Sequence, residues 1–130
     1  MDTNDIIWRL AQLASLPFQE RYVIDGTLDE YVLDTELLEN VDGLKYQIRR
    51  HENKNILTAE QSRTLDDLFA YIENHSGQAL SGKSREECAL LIRESKVWKE
   101  MRNLANNALK TFGISADLMS ASEIDQLALG

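Results

Sequence analysis

Apolar residues in this chain recur at intervals of three and four, and most runs follow a residue able to cap a helix N-terminus. Ile6, Leu10 and Leu13 share one helical face behind Asp2 or Thr3. Pro17 ends that helix between Ala14 and Leu16, because a residue preceding proline is steered away from helical backbone. Leu37, Val41, Leu44 and Ile48 predict a second helix opened by Asp34 or Thr35, which Gly43 weakens by about 1 kcal/mol relative to alanine. Thr58 and Gln61 have the spacing of a capping box ahead of Leu65, Leu68, Phe69 and Ile72, predicting a third helix to about His75. Ser84 and Glu87 repeat that spacing. The face behind them passes through Cys88, Leu91, Trp98, Met101, Ala105, Ala108 and Phe112 before Gly113 stops it. Glu94 and Ser95 interrupt the stripe, predicting either a break or a polar contact in an apolar seam. Ser120 with Glu123 opens a short terminal helix carrying Ile124, Leu127 and Leu129.

Between these elements, Glu52 to Asn55 reads as a polar loop, and Ser76 to Lys83, with Gly77 and Gly82, as the most flexible connection. One stretch departs from helical spacing. Arg21 to Ile24 and Tyr31 to Leu33 are rich in β-branched and aromatic residues and flank a turn containing Asp25 and Gly26. Residues 21–33 are therefore expected to form either a short hairpin packed on the helices or an irregular crossover, since a lone hairpin is marginal in water. The expected architecture is all-α, a single-domain bundle of about five helices spanning residues 1–130.

Composition supports a folded domain: 43% of the residues are apolar and 28% charged, and 130 residues suffice for one core without staples. The acidic opening Met1 to Asp5, and the lack of an apolar run of about 18 residues, predict neither a secretory signal nor a membrane span, hence a cytoplasmic protein. Cys88, the only cysteine, cannot form an internal disulfide and is expected to be a buried small hydrophobe. Trp8, Trp98, Phe69 and Phe112 read as core residues. A formal charge of −8 argues against direct nucleic-acid binding, which draws on clustered Lys and Arg. Lys45, Arg49, Arg50 and Lys54 are too few and too close to acids to reverse that.

The charge is unevenly placed. Between Arg21 and Lys45 stand seven acids, Asp25, Asp29, Glu30, Asp34, Glu36, Glu39 and Asp42, with no Lys or Arg. At 100° per residue Glu36, Glu39 and Asp42 fall opposite Leu37, Val41 and Leu44, so they are expected to face solvent together. Acids near a helix start also suit its dipole, which needs no partner. Tyr22 and Tyr31 lie among the acids, and aromatic anchors favour reading the segment as a docking surface for a basic protein.

Catalytic and metal chemistry are not announced. Counting from Asp25, oxygen-bearing Thr27, Asp29 and Glu36 mimic a calcium loop, but the position that must turn sharply is Glu30 instead of glycine. His51 and His75 lack zinc-ligand spacing and read as exposed helix-end residues. Glu94 alone among the carboxylates has an apolar context, and pairing with Lys96, Lys99 or an arginine explains it. No GxSxG, P-loop or dinucleotide fingerprint occurs, so no enzyme activity, cofactor or metal is expected.

The run Tyr22-Val23-Ile24-Asp25-Gly26-Thr27 leading into Asp29-Glu30-Tyr31-Val32-Leu33 and an acidic helix, with Val97-Trp98-Lys99-Glu100-Met101 later, resembles the helical immunity proteins of bacterial contact-dependent inhibition and colicin-like systems. The resemblance implies a cognate basic toxin domain, often a nuclease, that this chain would bind and neutralise. It transfers no interface residue, and the acidic segment is nominated from charge alone. A helical adaptor or regulatory subunit for a transcription or secretion component would share the fold and acidity; an upstream toxin gene separates the two. An enzyme with an unrecognised carboxylate site would need a pocket enclosing perturbed acids. The protein is expected to be a monomer, or a weak homodimer through surplus apolar surface such as Leu127 and Leu129.

Overall fold

The computed structural model describes residues 3–26, 32–50, 57–116 and 119–127. Among these the chain is helical, without strands, in the order α1 (Thr3–Ala14), α2 (Leu16–Gln19), a π-turn (Glu20–Ile24), α3 (Asp34–Arg49), α4 (Ala59–Ala79), α5 (Arg85–Glu94), α6 (Lys96–Lys110) and α7 (Ala121–Leu127). The all-α expectation holds. Packing runs in a ring, with α1 on α3, α3 on α4, α4 on α6 and α6 back on α1. Helix α5 and the π-turn lean on each other, α5 also on α6, and α7 closes against α1 and α2. The core inside the ring holds Ile6, Leu10 and Leu13, then Leu37, Val41 and Leu44, Leu65 and Leu68, and Trp98, Met101 and Leu109.

Local chemistry sets most boundaries. Thr58 and Gln61 close a reciprocal capping box at the start of α4. Ser84 Oγ accepts the Glu87 N–H at 3.1 Å, while the Glu87 carboxylate accepts from Lys83 N–H at 2.6 Å, one residue ahead of the box geometry. The interruption at Glu94 and Ser95 is a true break. Ser95 leaves helical geometry and its Oγ accepts the Trp98 N–H at 3.2 Å to start α6, while Glu94 reaches Lys99 at 4.0 Å. Gly113 takes a left-handed φ of 80°, and the Gly113 and Ile114 N–H groups donate back to Lys110 and Leu109 in a Schellman arrangement.

Three local expectations need correction. Pro17 ends α1 but also begins something: Ser15 Oγ caps the Phe18 N–H at 3.1 Å, and Pro17 falls in the first turn of α2, where its missing N–H costs nothing. Arg21 to Ile24, expected as a strand or crossover, continues that helix as a π-turn closed by Asp25 N–H to Glu20 O at 2.9 Å. Burial of Ile24 and packing of Tyr22 on Phe18 override β propensity. Val32 N–H donates to Tyr22 O at 2.9 Å, a ladder-like contact to the far side of the expected hairpin, whose tip at 27–31 lies outside the described residues. Finally, α4 runs past His75 to Ala79, absorbing half of the supposedly flexible stretch. Trp98 holds that last turn, its Nε1–H donating to the buried Ala79 carbonyl at 3.0 Å.

A buried polar network makes the two helix breaks tolerable. The break at Ser15, together with the missing Pro17 N–H, leaves carbonyls at the end of α1 without helical donors, and Gln19 Nε2 donates to those of Gln12 and Leu13 at 3.0 and 2.8 Å. Arg102, only 8% exposed, donates from Nη1 to Gln19 Oε1 at 3.0 Å and to the Ile92 carbonyl near the end of α5 at 2.7 Å. Asn106 Nδ2 donates to Ala14 O at 3.3 Å. Burial pushes the Arg102 guanidinium below its ordinary value, and the nearby Glu20 charge pushes it back up.

Glu20 itself forms a bidentate pair with Arg93, at 2.8 and 2.7 Å. The Arg93 hydrogen bonds hold its carboxyl below the ordinary 4.5, against the opposing effect of burial, with further help from the charges of Arg93 and Arg102. A carboxyl lowered by folding stabilises the fold above its unfolded value and loses that contribution as pH falls through its folded value. Between pH 7 and about 3, stability should thus decline less steeply in Glu20→Gln than in the parent chain. Urea melts across that range would show parallel acid limbs if the pair contributes nothing.

Candidate functional site

Helix α3 opens with acids on backbone N–H groups that its own geometry leaves unpaired: Asp34 Oδ1 accepts the Thr35 N–H at 2.8 Å. Its inner face is fixed by Leu37, Leu38, Val41 and Leu44, all buried, which turns Glu36 and Glu39 outward into solvent. Asp42 is rotated toward α4. Its side chain, 44% exposed, pairs with Lys45 at 3.3 Å. Lys45 is nearly buried and also lies 4.0 Å from Glu73 of α4. The three acids thus share the solvent side of α3, with Asp42 partly spent on a neighbour.

The structure adds two residues to this face. Tyr46 stands on the same side as Glu39 and Asp42, 64% exposed, with Lys45 Nζ 5.3 Å from its ring centre. Glu73 comes across from α4. Together Glu39, Asp42, Tyr46 and Glu73 border a shallow trough of about 380 Å³ between α3 and α4, with Leu38 and Ile72 contributing apolar lining. An exposed aromatic beside three carboxylates, over a partly apolar trough, offers a cationic surface both charge and contact area.

Other expected site residues are dispersed. Tyr22 is half-buried, its ring 4.8 Å from that of Phe18, and its hydroxyl donates to Asp125 of α7, so it braces the C-terminal helix instead of standing beside α3. Asp25 is exposed at the end of the π-turn, near Arg93. Asp29, Glu30 and Tyr31 lie outside the described residues, as do His51, Lys54, Leu129 and Thr27 of the calcium-like spacing. Arg49 and Arg50 are exposed beyond the acidic turns of α3.

Residues singled out for chemistry have structural surroundings. His75 is half-buried inside α4, its ring stacked 4.0 Å from that of Tyr71 and its Nδ1 2.9 Å from the Tyr71 carbonyl; the extension of α4 moves it away from the helix end where it was expected. Cys88 is half-buried instead of buried, lining a groove between α5 and the start of α3, with its Sγ 3.7 Å from the Gly82 carbonyl. Trp8 and Phe112 pack on the core from half-buried positions, whereas Trp98 and Phe69 are fully inside. Among the described residues no three His, Cys, Asp or Glu side chains gather as metal ligands would, and no helix is long and apolar enough to cross a membrane. Comparison with known proteins finds no matching family model, no matching curated protein and no matching solved structure.

Proposed function

We propose that this chain is a non-enzymatic acidic binding protein, an immunity protein that binds and neutralises a cognate basic toxin domain, in the first instance a nuclease. The observation that supports the reading best is the α3 face, where Glu36, Glu39 and Asp42 are presented to solvent beside exposed Tyr46 and a trough shared with α4. Charges laid out this way steer a basic partner during encounter, and an exposed aromatic gives the complex short-range contact once formed. Inhibition then needs no catalysis by this chain, only residence on the toxin's active surface or substrate groove.

The test is calorimetric titration against the basic C-terminal domain encoded by the upstream neighbour gene, at low and high salt. Nanomolar or tighter binding that abolishes that domain's toxicity is the expected result, with salt slowing association more than it speeds dissociation. Reversing Glu36, Glu39 and Asp42 to lysine should weaken binding by about 10- to 1000-fold, given the coupling energies of close interfacial charges, with helical content by circular dichroism unchanged. Because Asp42 pairs with nearly buried Lys45, the Glu36→Lys, Glu39→Lys double variant isolates docking from that internal pair. Unchanged affinity in both variants would remove α3 as the docking face, and no binding by the parent chain would remove the immunity reading.

A further inference from the structure

A cation already sits in the trough between α3 and α4, and it belongs to the chain itself. Lys45 Nζ lies 3.3 Å from the Asp42 carboxylate, 4.0 Å from that of Glu73 and 5.3 Å from the centre of the Tyr46 ring. Two carboxylates and an aromatic ring, drawn from two helices, thus converge on one ammonium. The Lys45 side chain is only 11% exposed and lines the trough, so its head is held there instead of ranging through solvent.

One lysine does not balance the trough. Glu39, Asp42 and Glu73 line it against this single base. Glu39 is exposed and makes no ion pair among the described residues. Glu73, its side chain 72% exposed, meets Lys45 only at the outer limit of ion-pair contact. Tyr46 is exposed over most of its surface, so its ring stays open to a partner, and Leu38 and Ile72 supply apolar lining alongside.

We infer that the trough is an arginine subsite: it takes one arginine of the basic partner, whose guanidinium lies on Tyr46 and pairs with Glu39 and Glu73 across the two helices. The inference rests on the reading of the chain as a docking protein for a basic partner, and it adds which cation is taken and where. Guanidinium is favoured over ammonium for two reasons. It is planar, stacks on an aromatic ring and donates in a fork, so it can serve acids on both helices at once, whereas an ammonium is a compact point charge. The position that suits a compact ammonium, between Asp42 and Glu73, is already filled by Lys45. The aliphatic stem of the arginine packs on Leu38 and Ile72, as long basic side chains do when an apolar surface adjoins the charged one.

The test follows methyl and amide resonances of the full chain at low ionic strength during titration with three capped tripeptides, which place arginine, lysine or neutral citrulline between alanines. Shifts at Leu38, Tyr46, Ile72 and Glu73 are expected, with the arginine peptide binding at least about threefold more tightly than lysine and about tenfold more tightly than citrulline. Tyr46→Ala should erase the preference for arginine over lysine, and Lys45→Met should narrow it by opening the ammonium position to the lysine peptide. The parent-chain titration is decisive by itself should either variant fail to fold. Equal binding of arginine and lysine, or shifts confined to residues outside the trough, would overturn the arginine subsite while leaving a cationic docking face standing. Citrulline binding as tightly as arginine would overturn the subsite and count against the docking reading as well. Calorimetry with the toxin domain separates the two levels: affinity unchanged by Tyr46→Ala and by Glu73→Gln would remove the subsite and keep the docking reading.

Discussion

Replacing Trp98 with alanine should lower the free energy of unfolding by about 3–5 kcal/mol, a large part of the roughly 5–15 kcal/mol that holds a domain of this size together. Trp98 is completely buried, at the start of the helix that packs on both α1 and α4. Its removal leaves a cavity and also strips the Ala79 carbonyl of its indole donor. Trp98→Phe separates the two contributions: most of the ring volume stays, and the loss should fall to about 1–3 kcal/mol, the cost of a buried acceptor left unpaired. Urea melts of both variants read this directly. Equal losses in the two would show that the hydrogen bond dominates, and a loss below 1 kcal/mol in Trp98→Ala would show that the neighbouring helices collapse into the space.

Gln19→Leu should cost about 3–5 kcal/mol although it conserves volume and increases hydrophobicity, because each buried polar group left unpaired costs about 1–3 kcal/mol. Gln19 is fully buried and serves three partners, the carbonyls of Gln12 and Leu13 and the Arg102 guanidinium. Leucine satisfies none of them. Arg102 keeps its bond to the Ile92 carbonyl but loses its side-chain acceptor, so a buried cation becomes less well compensated. Equilibrium unfolding checks the value. Retention of full stability would mean that water or a rearranged Gln12 side chain supplies the missing partners.

Much of the fold could be read locally. The faces of α1, α3 and α4 follow from apolar spacing, and the capping pair at Thr58 and Gln61 works as its spacing implies. The break at Ser95 was one of two readings that the interruption allowed. What the sequence hid is non-local. The helical state of Arg21 to Ile24 depends on Ile24 finding burial and Tyr22 finding Phe18, contacts that β-branched composition does not encode. The extension of α4 to Ala79 depends on Trp98, nineteen positions later. Ser15 ahead of Pro17 did carry a local start signal, a capping hydroxyl with proline in the first turn, and it was masked by the stronger reading of proline as a terminator.

The proposed docking face shows the same division. The outward setting of Glu36 and Glu39 follows from the position of Leu37 and Val41 on the opposite side of α3. That Glu73 joins them could not be read, since it requires knowing that α4 lies beside α3. Tyr46 was more accessible: it falls seven residues after Glu39 and four after Asp42, on the same helical side. Arg102 also left a trace, four residues after Trp98 and seven before Leu109, inside the apolar stripe of α6. A polar residue in such a stripe needs partners, and Gln19 lies 83 positions away.

The ring of helices also governs the order in which this chain can become a protein. Its closing contact joins α1 to α6, and the bond from Asn106 to the Ala14 carbonyl spans 92 positions, that from Ser15 to the Met119 carbonyl 104. Contacts this distant in sequence pay their loop-closure entropy before they return any stabilisation, which slows folding. During synthesis α1 leaves the ribosome before α6, so the part of its apolar face that α6 covers stays open even after α3 has joined it. For that interval the newborn chain offers chaperones part of an apolar helix face, and arrest of synthesis before Lys96 would leave that part without its native cover.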